Sequence, residues 1–125
     1  MRFLADTHAF LWWLDDDPRL GAGARDRMAD PRSTVWISAA SIWEIAIKSQ
    51  LGKLSVDADL SQEIGENGFL ELPMTARHAA AAGALPPHHR DPFDRMLIAQ
   101  SRLEDLRILS RDSVLGLYDA QTVWD

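Results

Sequence analysis

The sequence predicts an α/β fold: an α/β/α sandwich in which helices flank a short, mainly parallel β-sheet. Three observations predict it. Short strand-like apolar runs alternate with amphipathic helical segments along the whole chain, the pattern of helices crossing over a parallel sheet. The 125 residues are 46% hydrophobic and 26% charged, which fills one core, so residues 1–125 read as a single domain. No repeat, low-complexity tract or linker interrupts the alternation.

In order, Arg2–Asp6 is an apolar run ending in an acid, the first strand. Thr7–Leu14 and Gly23–Ala29 read as helices, parted by the turn-rich Asp15-Asp16-Asp17-Pro18-Arg19. Thr34–Ser38 has the β-branched and aromatic content of a buried strand. Ser41–Leu51 reads as a helix with Ile42, Ile45, Ala46 and Ser49 on one face and Gly52 as its stop. A shorter helix over Leu60–Glu66 precedes a strand at Phe69–Leu72. Thr75–Ala84 is an Ala-rich helix, and Leu85–Arg90 is a loop holding Pro86-Pro87. Asp91 opens a helix from Pro92 to about Leu103. Arg107–Ser110 and Thr122–Trp124 complete the strands.

Composition narrows the function classes. The absence of cysteine excludes disulfides, thiolate zinc sites and a Cys nucleophile. No apolar run approaches the roughly 20 residues of a membrane helix. Met1 leads straight into a strand with no basic n-region or small-residue cleavage site, so neither a signal peptide nor a membrane partner is expected, and the chain reads as cytoplasmic. Lys and Arg number 13 against 19 Asp and Glu, a net charge of −6. That balance alone argues against nucleic acid, since phosphate neutralisation needs a basic surface. The exception is a protein whose surplus carboxylates hold a cation, and nucleic acid therefore stays open.

In sheets of this kind ligands bind beyond the carboxyl ends of the strands, where strand order reverses. Four acids occupy such places. Asp6 ends the first strand, Glu44 lies in the first turn of the helix after the second, Asp94 lies in the first turn of the helix before Arg107, and Asp112 follows the Arg107 strand. Asp6 and Asp112 can face one edge of a right-handed parallel sheet. Asp94 reaches it only if the preceding loop climbs back. Each acid also has a plain structural reading. Ser41-Ile42-Trp43-Glu44 matches a capping box, and Asp91-Pro92-Phe93-Asp94 reads as an N-cap, a proline at N1 and an acid favoured by the helix dipole. Asp112 fits a turn in Ser110-Arg111-Asp112-Ser113. Asp6 is hardest to explain this way, because an acid ending a buried strand needs a partner or a metal. Clustered carboxylates repel unless a cation is present. An all-oxygen set favours Mg²⁺ or Mn²⁺ over zinc. Such an ion can activate water, orient a phosphodiester and stabilise the leaving oxygen.

Four segments then carry a resemblance: Phe3-Leu4-Ala5-Asp6-Thr7-His8, Ser38-Ala39-Ala40-Ser41-Ile42-Trp43-Glu44-Ile45, His89 through Gln100 with Asp91-Pro92-Phe93-Asp94 at its centre, and Ile108-Leu109-Ser110-Arg111-Asp112. In this order and at this length the chain resembles the PIN-domain family, and within it the VapC-type toxins of toxin–antitoxin pairs, over nearly its whole length. The resemblance implies a PIN-like sandwich and a Mg²⁺-dependent endoribonuclease. It makes Asp6 and Asp94 the principal metal ligands, Glu44 a ligand or the group positioning water, and Asp112 the residue completing the cluster directly or through water. Thr7 and Ser110 match supporting hydroxyls. His8 departs from the asparagine of many relatives, and its role is open. The resemblance also implies a homodimer, an RNA substrate, and an antitoxin whose C-terminal segment covers the acidic groove with Arg or Lys against the carboxylates.

Other features are weighed the same way. Leu11-Trp12-Trp13-Leu14 is apolar around more than one helix face, as in a helix buried on two sides; the alternative is a Trp anchoring a dimer or antitoxin interface. His88-His89 reads as a loop or RNA-facing pair rather than a metal pair, and His78 as a surface or packing residue. Lys48, Arg90, Arg95 and Arg111 lie close in sequence to the acids, either as solvated charges or as phosphate contacts, with Arg95 the preferred substrate contact. Two other functions compete. A phosphatase with Asp6 as nucleophile is weakened by His8, which stands where haloacid-dehalogenase-type enzymes carry a second Asp. A catalytically silent PIN-like module that only binds antitoxin would not require four carboxylates at one edge.

Overall fold

In a computed structural model the described residues are 1–88, 90–112, 115, 118 and 120–124. Five strands, β1 (Arg2–Ala5), β2 (Thr34–Ser38), β3 (Leu70–Leu72), β4 (Arg107–Leu109) and β5 (Thr122–Val123), form one sheet in the order β3-β2-β1-β4-β5, every pair parallel. Six α-helices lie among the described residues: α1 (Thr7–Leu14), α2 (Ala22–Ala29), α3 (Ala39–Gln50), α4 (Leu60–Glu66), α5 (Ala76–Ala84) and α6 (Pro92–Glu104).

Side chains alternate across a strand, so the register decides what each face buries. Phe3 and Ala5 of β1, Val35 and Ile37 of β2 and Leu109 of β4 point to one face, where Phe10, Met28, Ile45 and Ile64 of α1 to α4 meet them. Leu4 and Trp36 point to the other, against Leu97 of α6, and Ile108 meets Ile98 there. Both faces are covered, which gives the expected sandwich.

Several boundaries differ from the sequence reading. The second helix begins at Ala22, and Pro18–Leu20 forms a 3-10 turn within the expected turn region. Phe69, Ser110 and Trp124 stand outside their strands. The largest shift is in α3. The Ser38 hydroxyl accepts from the Ala40 N–H at 3.0 Å, so the helix starts at Ala39 rather than Ser41. Glu44 therefore lies in the second turn, and the Ser41–Glu44 capping box does not form. The helix stops as expected: Gly52, at φ 76°, donates to the Ser49 carbonyl while Lys53 donates to that of Lys48.

Helices α5 and α6 form an antiparallel hairpin. Arg95, in the first turn of α6, meets the last carbonyls of α5, and His78, in the first turn of α5, meets Glu104 at the end of α6. The hairpin, not a climbing loop, carries the chain to the point where α6 begins, with Phe93 packed edge-on against Trp43 of α3 at 5.2 Å. His78 is buried, not on the surface. Its Nδ1 accepts from the Thr75 N–H at 3.2 Å and faces the Gln100 amide, which leaves Nε2 to donate to Glu104 at 3.0 Å. Gln100 in turn accepts from the Ser38 hydroxyl at 2.6 Å, so a buried polar chain ties the hairpin to the end of β2.

Candidate active site at the switch point of the sheet

The chain winds from β1 through β2 to β3 on one side, then crosses back to place β4 on the other side of β1. Strand order therefore reverses between β1 and β4. Asp6 follows β1, Ser110 and Asp112 follow β4, and the Asp6 N–H donates to the Leu109 carbonyl at 3.1 Å, which fixes the two strand ends side by side. This is where a crevice forms in an open parallel sheet.

Asp6 has a structural role there. Its Oδ1 accepts from the Ala9 N–H at 2.8 Å and so caps α1. The Ser110 hydroxyl donates to the same carboxyl and accepts from the Asp112 N–H at 3.0 Å. Even so, burial pushes the Asp6 carboxyl above its ordinary value, and the nearby Asp112 adds to the rise. The Ser110 and Ala9 donors and the proximity of His8 pull it back only in part. A half-buried, desolvated acid beside a second acid is a site short of positive charge.

Thr7 links this group to the next. Its hydroxyl donates to Glu44 Oε1 at 2.7 Å and lies 2.9 Å from Ser41 Oγ. One hydroxyl carries one proton, so Ser41 donates to Thr7 while Thr7 donates to Glu44. The other oxygen, Oε2, pairs with Lys48 Nζ at 2.8 Å, one helical turn on. Lys48 holds its proton more tightly than an ordinary lysine, first because of that hydrogen bond, with Asp91 and Asp94 adding through space. Asp94, at the third position of α6, thus lies within electrostatic reach of Lys48. Asp91 caps the same helix, accepting from the Phe93 and Asp94 N–H groups at 2.8 and 3.3 Å.

Asp6 thus lies near Asp112, Glu44 is bound by Thr7 and paired with Lys48, and Asp94 lies within electrostatic reach of Lys48. Among the described residues no three His, Asp or Glu side chains converge closely enough to hold a metal ion. The donor set nevertheless fits a hard divalent cation in its chemistry. It is all oxygen, and it includes a carboxyl whose charge burial disfavours.

The remaining candidates divide. Arg95 donates to the carbonyls of Ala82 at 2.9 Å, Leu85 at 2.8 Å and Pro86 at 3.1 Å, capping the C-terminus of α5. A role on substrate would require it to leave those carbonyls. Arg90 and Arg111 are exposed. Trp13 packs on Phe69 at 5.4 Å and donates to Asn67 Oδ1 at 3.0 Å, whereas Trp12 faces His8 and Trp124, so the helix is half-buried on two sides. His88 is exposed and meets Tyr118 edge-on at 5.1 Å, and His89 lies outside the described residues. Sequence reading missed Ser41 as the donor behind Thr7 and Lys48 as the partner of Glu44. The second was available from the spacing, since Glu followed four residues later by Lys is a favoured helical pair.

Comparison with known proteins agrees with this architecture. The sequence pattern of the PIN domain matches residues 3–120. Among solved structures, the chain is similar to VapBC2 from Rickettsia felis bound to a DNA fragment from its promoter, at a TM-score of 0.72 and 12% identity over 100% of both chains. It is also similar to a toxin–antitoxin complex from Klebsiella pneumoniae, at 0.61 and 17% identity over 89% of this chain and 87% of that one. A third likeness, to FitAcB from Neisseria gonorrhoeae, has a TM-score of 0.56 at 14% identity and covers 98% and 96%. Among curated proteins the comparison gives no match. With the domain pattern spanning all but the ends of the chain and the sheet, crevice and acids arranged as described, this chain belongs to the PIN-domain family.

Proposed function

We propose that the chain is a Mg²⁺-dependent endoribonuclease, the VapC-type toxin of a toxin–antitoxin pair. The observation that carries the proposal is Asp6: a half-buried carboxyl at the switch point, raised by desolvation and by Asp112, and followed by Thr7, whose hydroxyl binds Glu44. The solved structures it resembles include toxin–antitoxin complexes, which supports the biological role.

In this reading Asp6 and Asp94 are the principal ligands of Mg²⁺, with Mn²⁺ able to substitute, and Asp112 and Glu44 complete the set or act through water. The ion, when bound, supplies Lewis acidity for an activated water and for the charge that develops on the phosphate. The chain's own residues set the geometry. Ser110 and the Ala9 N–H fix Asp6, and Thr7, itself held by Ser41, binds one oxygen of Glu44 while Lys48 restrains the other. A carboxylate held on both oxygens can orient a water for in-line attack without swinging away. The acidic crevice matches an antitoxin segment bearing Arg or Lys, and this proposal further takes the protein to be a single-domain, cytoplasmic homodimer. No helix among the described residues is long and apolar enough to cross a membrane.

The test is cleavage of a pool of structured RNAs by antitoxin-free protein, with Mg²⁺ or with EDTA, beside Asp6→Asn. Cleavage that needs both the metal and Asp6 supports the proposal. Cleavage that survives EDTA or Asp6→Asn overturns it, and so does inactivity on every RNA together with no metal binding by calorimetry. In the last case a silent antitoxin-binding module becomes the better reading, and Asp6→Asn would leave antitoxin binding intact.

A further inference from the structure

A second feature adjoins the acids and acts on them only through the proximity of His8 to Asp6. His8 and Trp12 lie one turn apart on α1, their rings 19° from parallel with centroids at 5.5 Å. His8 is exposed and Trp12 is half-buried behind it. Trp12 is held in place by the edge contact of Trp124 at 6.1 Å and by two guanidiniums over its ring, Arg19 at 5.2 Å and Arg111 at 4.9 Å. Arg19 is also tied to Asp17 at 2.8 Å, which offsets its charge. Arg111 is exposed and stands between Ser110 and Asp112. Beside it, a cleft of about 250 Å³ opens between the ends of β4 and β5, lined by Ser110, Arg111, Asp112, Thr122, Val123 and Trp124.

A flat exposed ring, backed by a second ring and flanked by a guanidinium, is what an unpaired nucleobase and its phosphate require. The position matters as much as the chemistry. His8 is two residues from Asp6 and Arg111 is adjacent to Asp112, so a base on this ledge belongs to a nucleotide next to the scissile phosphate. From this geometry we infer that His8, supported by Trp12, is a stacking subsite for an unpaired base of the RNA, and that Arg111 holds the adjoining phosphate. The inference rests on the ribonuclease reading and deepens it, because a base in a duplex cannot reach the ring. The subsite selects single-stranded segments. It also gives His8 a role on the substrate, separate from the carboxylates.

The experiment measures binding of a short fluorescein-labelled RNA, single-stranded or as a duplex, to Asp6→Asn protein by anisotropy over a range of salt. His8→Ala in that background should weaken single-strand binding by about tenfold, as expected for loss of one stacked base. His8→Phe should restore binding, because an aromatic face remains. Arg111→Ala should weaken binding and reduce the salt slope by about one, whereas His8→Ala should leave the slope unchanged. Duplex binding should change little with His8→Ala. Unchanged single-strand affinity in His8→Ala, or no recovery in His8→Phe, overturns the subsite and leaves the ledge to a protein partner. If the unaltered chain cleaves RNA while His8→Ala binds normally, the subsite alone fails. If the unaltered chain neither binds nor cleaves RNA, the ribonuclease reading fails with it.

Discussion

Replacing Thr7 with valine keeps the shape of a buried side chain and removes one hydroxyl. In the native chain that hydroxyl donates to Glu44 Oε1 at 2.7 Å and accepts from Ser41. Thr7, Ser41 and Glu44 are all buried, so neither water nor another group replaces the lost bond without rearrangement. A hydrogen bond to a charged acceptor contributes about 1.5–3 kcal/mol, and Thr7→Val should therefore cost about 2 kcal/mol. With a urea dependence of about 2 kcal/mol per molar, the unfolding midpoint should fall by roughly 1 M. Pairing Thr7→Val with Glu44→Met in a double-mutant cycle isolates the bond, because methionine fills similar space and accepts no strong hydrogen bond. The coupling should be about 1–2 kcal/mol. A coupling within about 0.3 kcal/mol of zero would mean that Thr7 does not hold Glu44, and the account of how the crevice is aimed would be wrong.

Three further outcomes follow from the same contacts. Burial raises the Asp6 carboxyl above 3.8, so the folded state binds that proton more tightly than the unfolded state. The stability this group contributes is complete below pH 3.8 and is lost as pH rises through the raised value. Asp6→Asn keeps an oxygen for the Ala9 N–H, and should raise the melting temperature of the metal-free protein at neutral pH with no gain below pH 3.8; an equal change at every pH would refute the assignment. Arg95→Ala should destabilise by about 1–3 kcal/mol in urea, and Arg95→Lys should recover only part, because one ammonium cannot serve several carbonyls. Normal stability with impaired RNA cleavage would instead return Arg95 to the substrate. Gly52→Ala forces a side chain into the left-handed region and should cost about 1 kcal/mol, read from the same urea transition; an unchanged midpoint would show that the α3 terminus relaxes freely.

The sheet was legible because its strands announce themselves locally. Phe3, Leu4 and Ala5, or Val35, Trp36 and Ile37, are short apolar runs, and the alternation of helix and strand leaves a parallel sheet as the economical arrangement. The positions of Asp6 and Asp112 follow from that topology alone. The start of α3 was less legible, because Ser38 and Ser41 are both good caps and only the end of β2 decides between them. The contacts of Arg95 and His78 were illegible for a different reason. Their partners lie across the α5–α6 hairpin, Arg95 with carbonyls 9 to 13 residues away and His78 with Glu104 at 26, and no local pattern encodes such contacts. The His8–Trp12 stack lies between these cases: the spacing of four places the rings on one helix face, but Arg111 and Trp124 reach them only through the sheet.

The proposed role of the acids at the switch point is to hold divalent metal. Anomalous diffraction from crystals of the chain soaked in Mn²⁺ tests it most directly. A strong peak is expected in coordination distance of an Asp6 oxygen and of at least one oxygen from Asp94, Asp112 or Glu44, absent from crystals of Asp6→Asn. A peak that stands away from Asp6, or no peak at Mn²⁺ concentrations that support RNA cleavage, would contradict it.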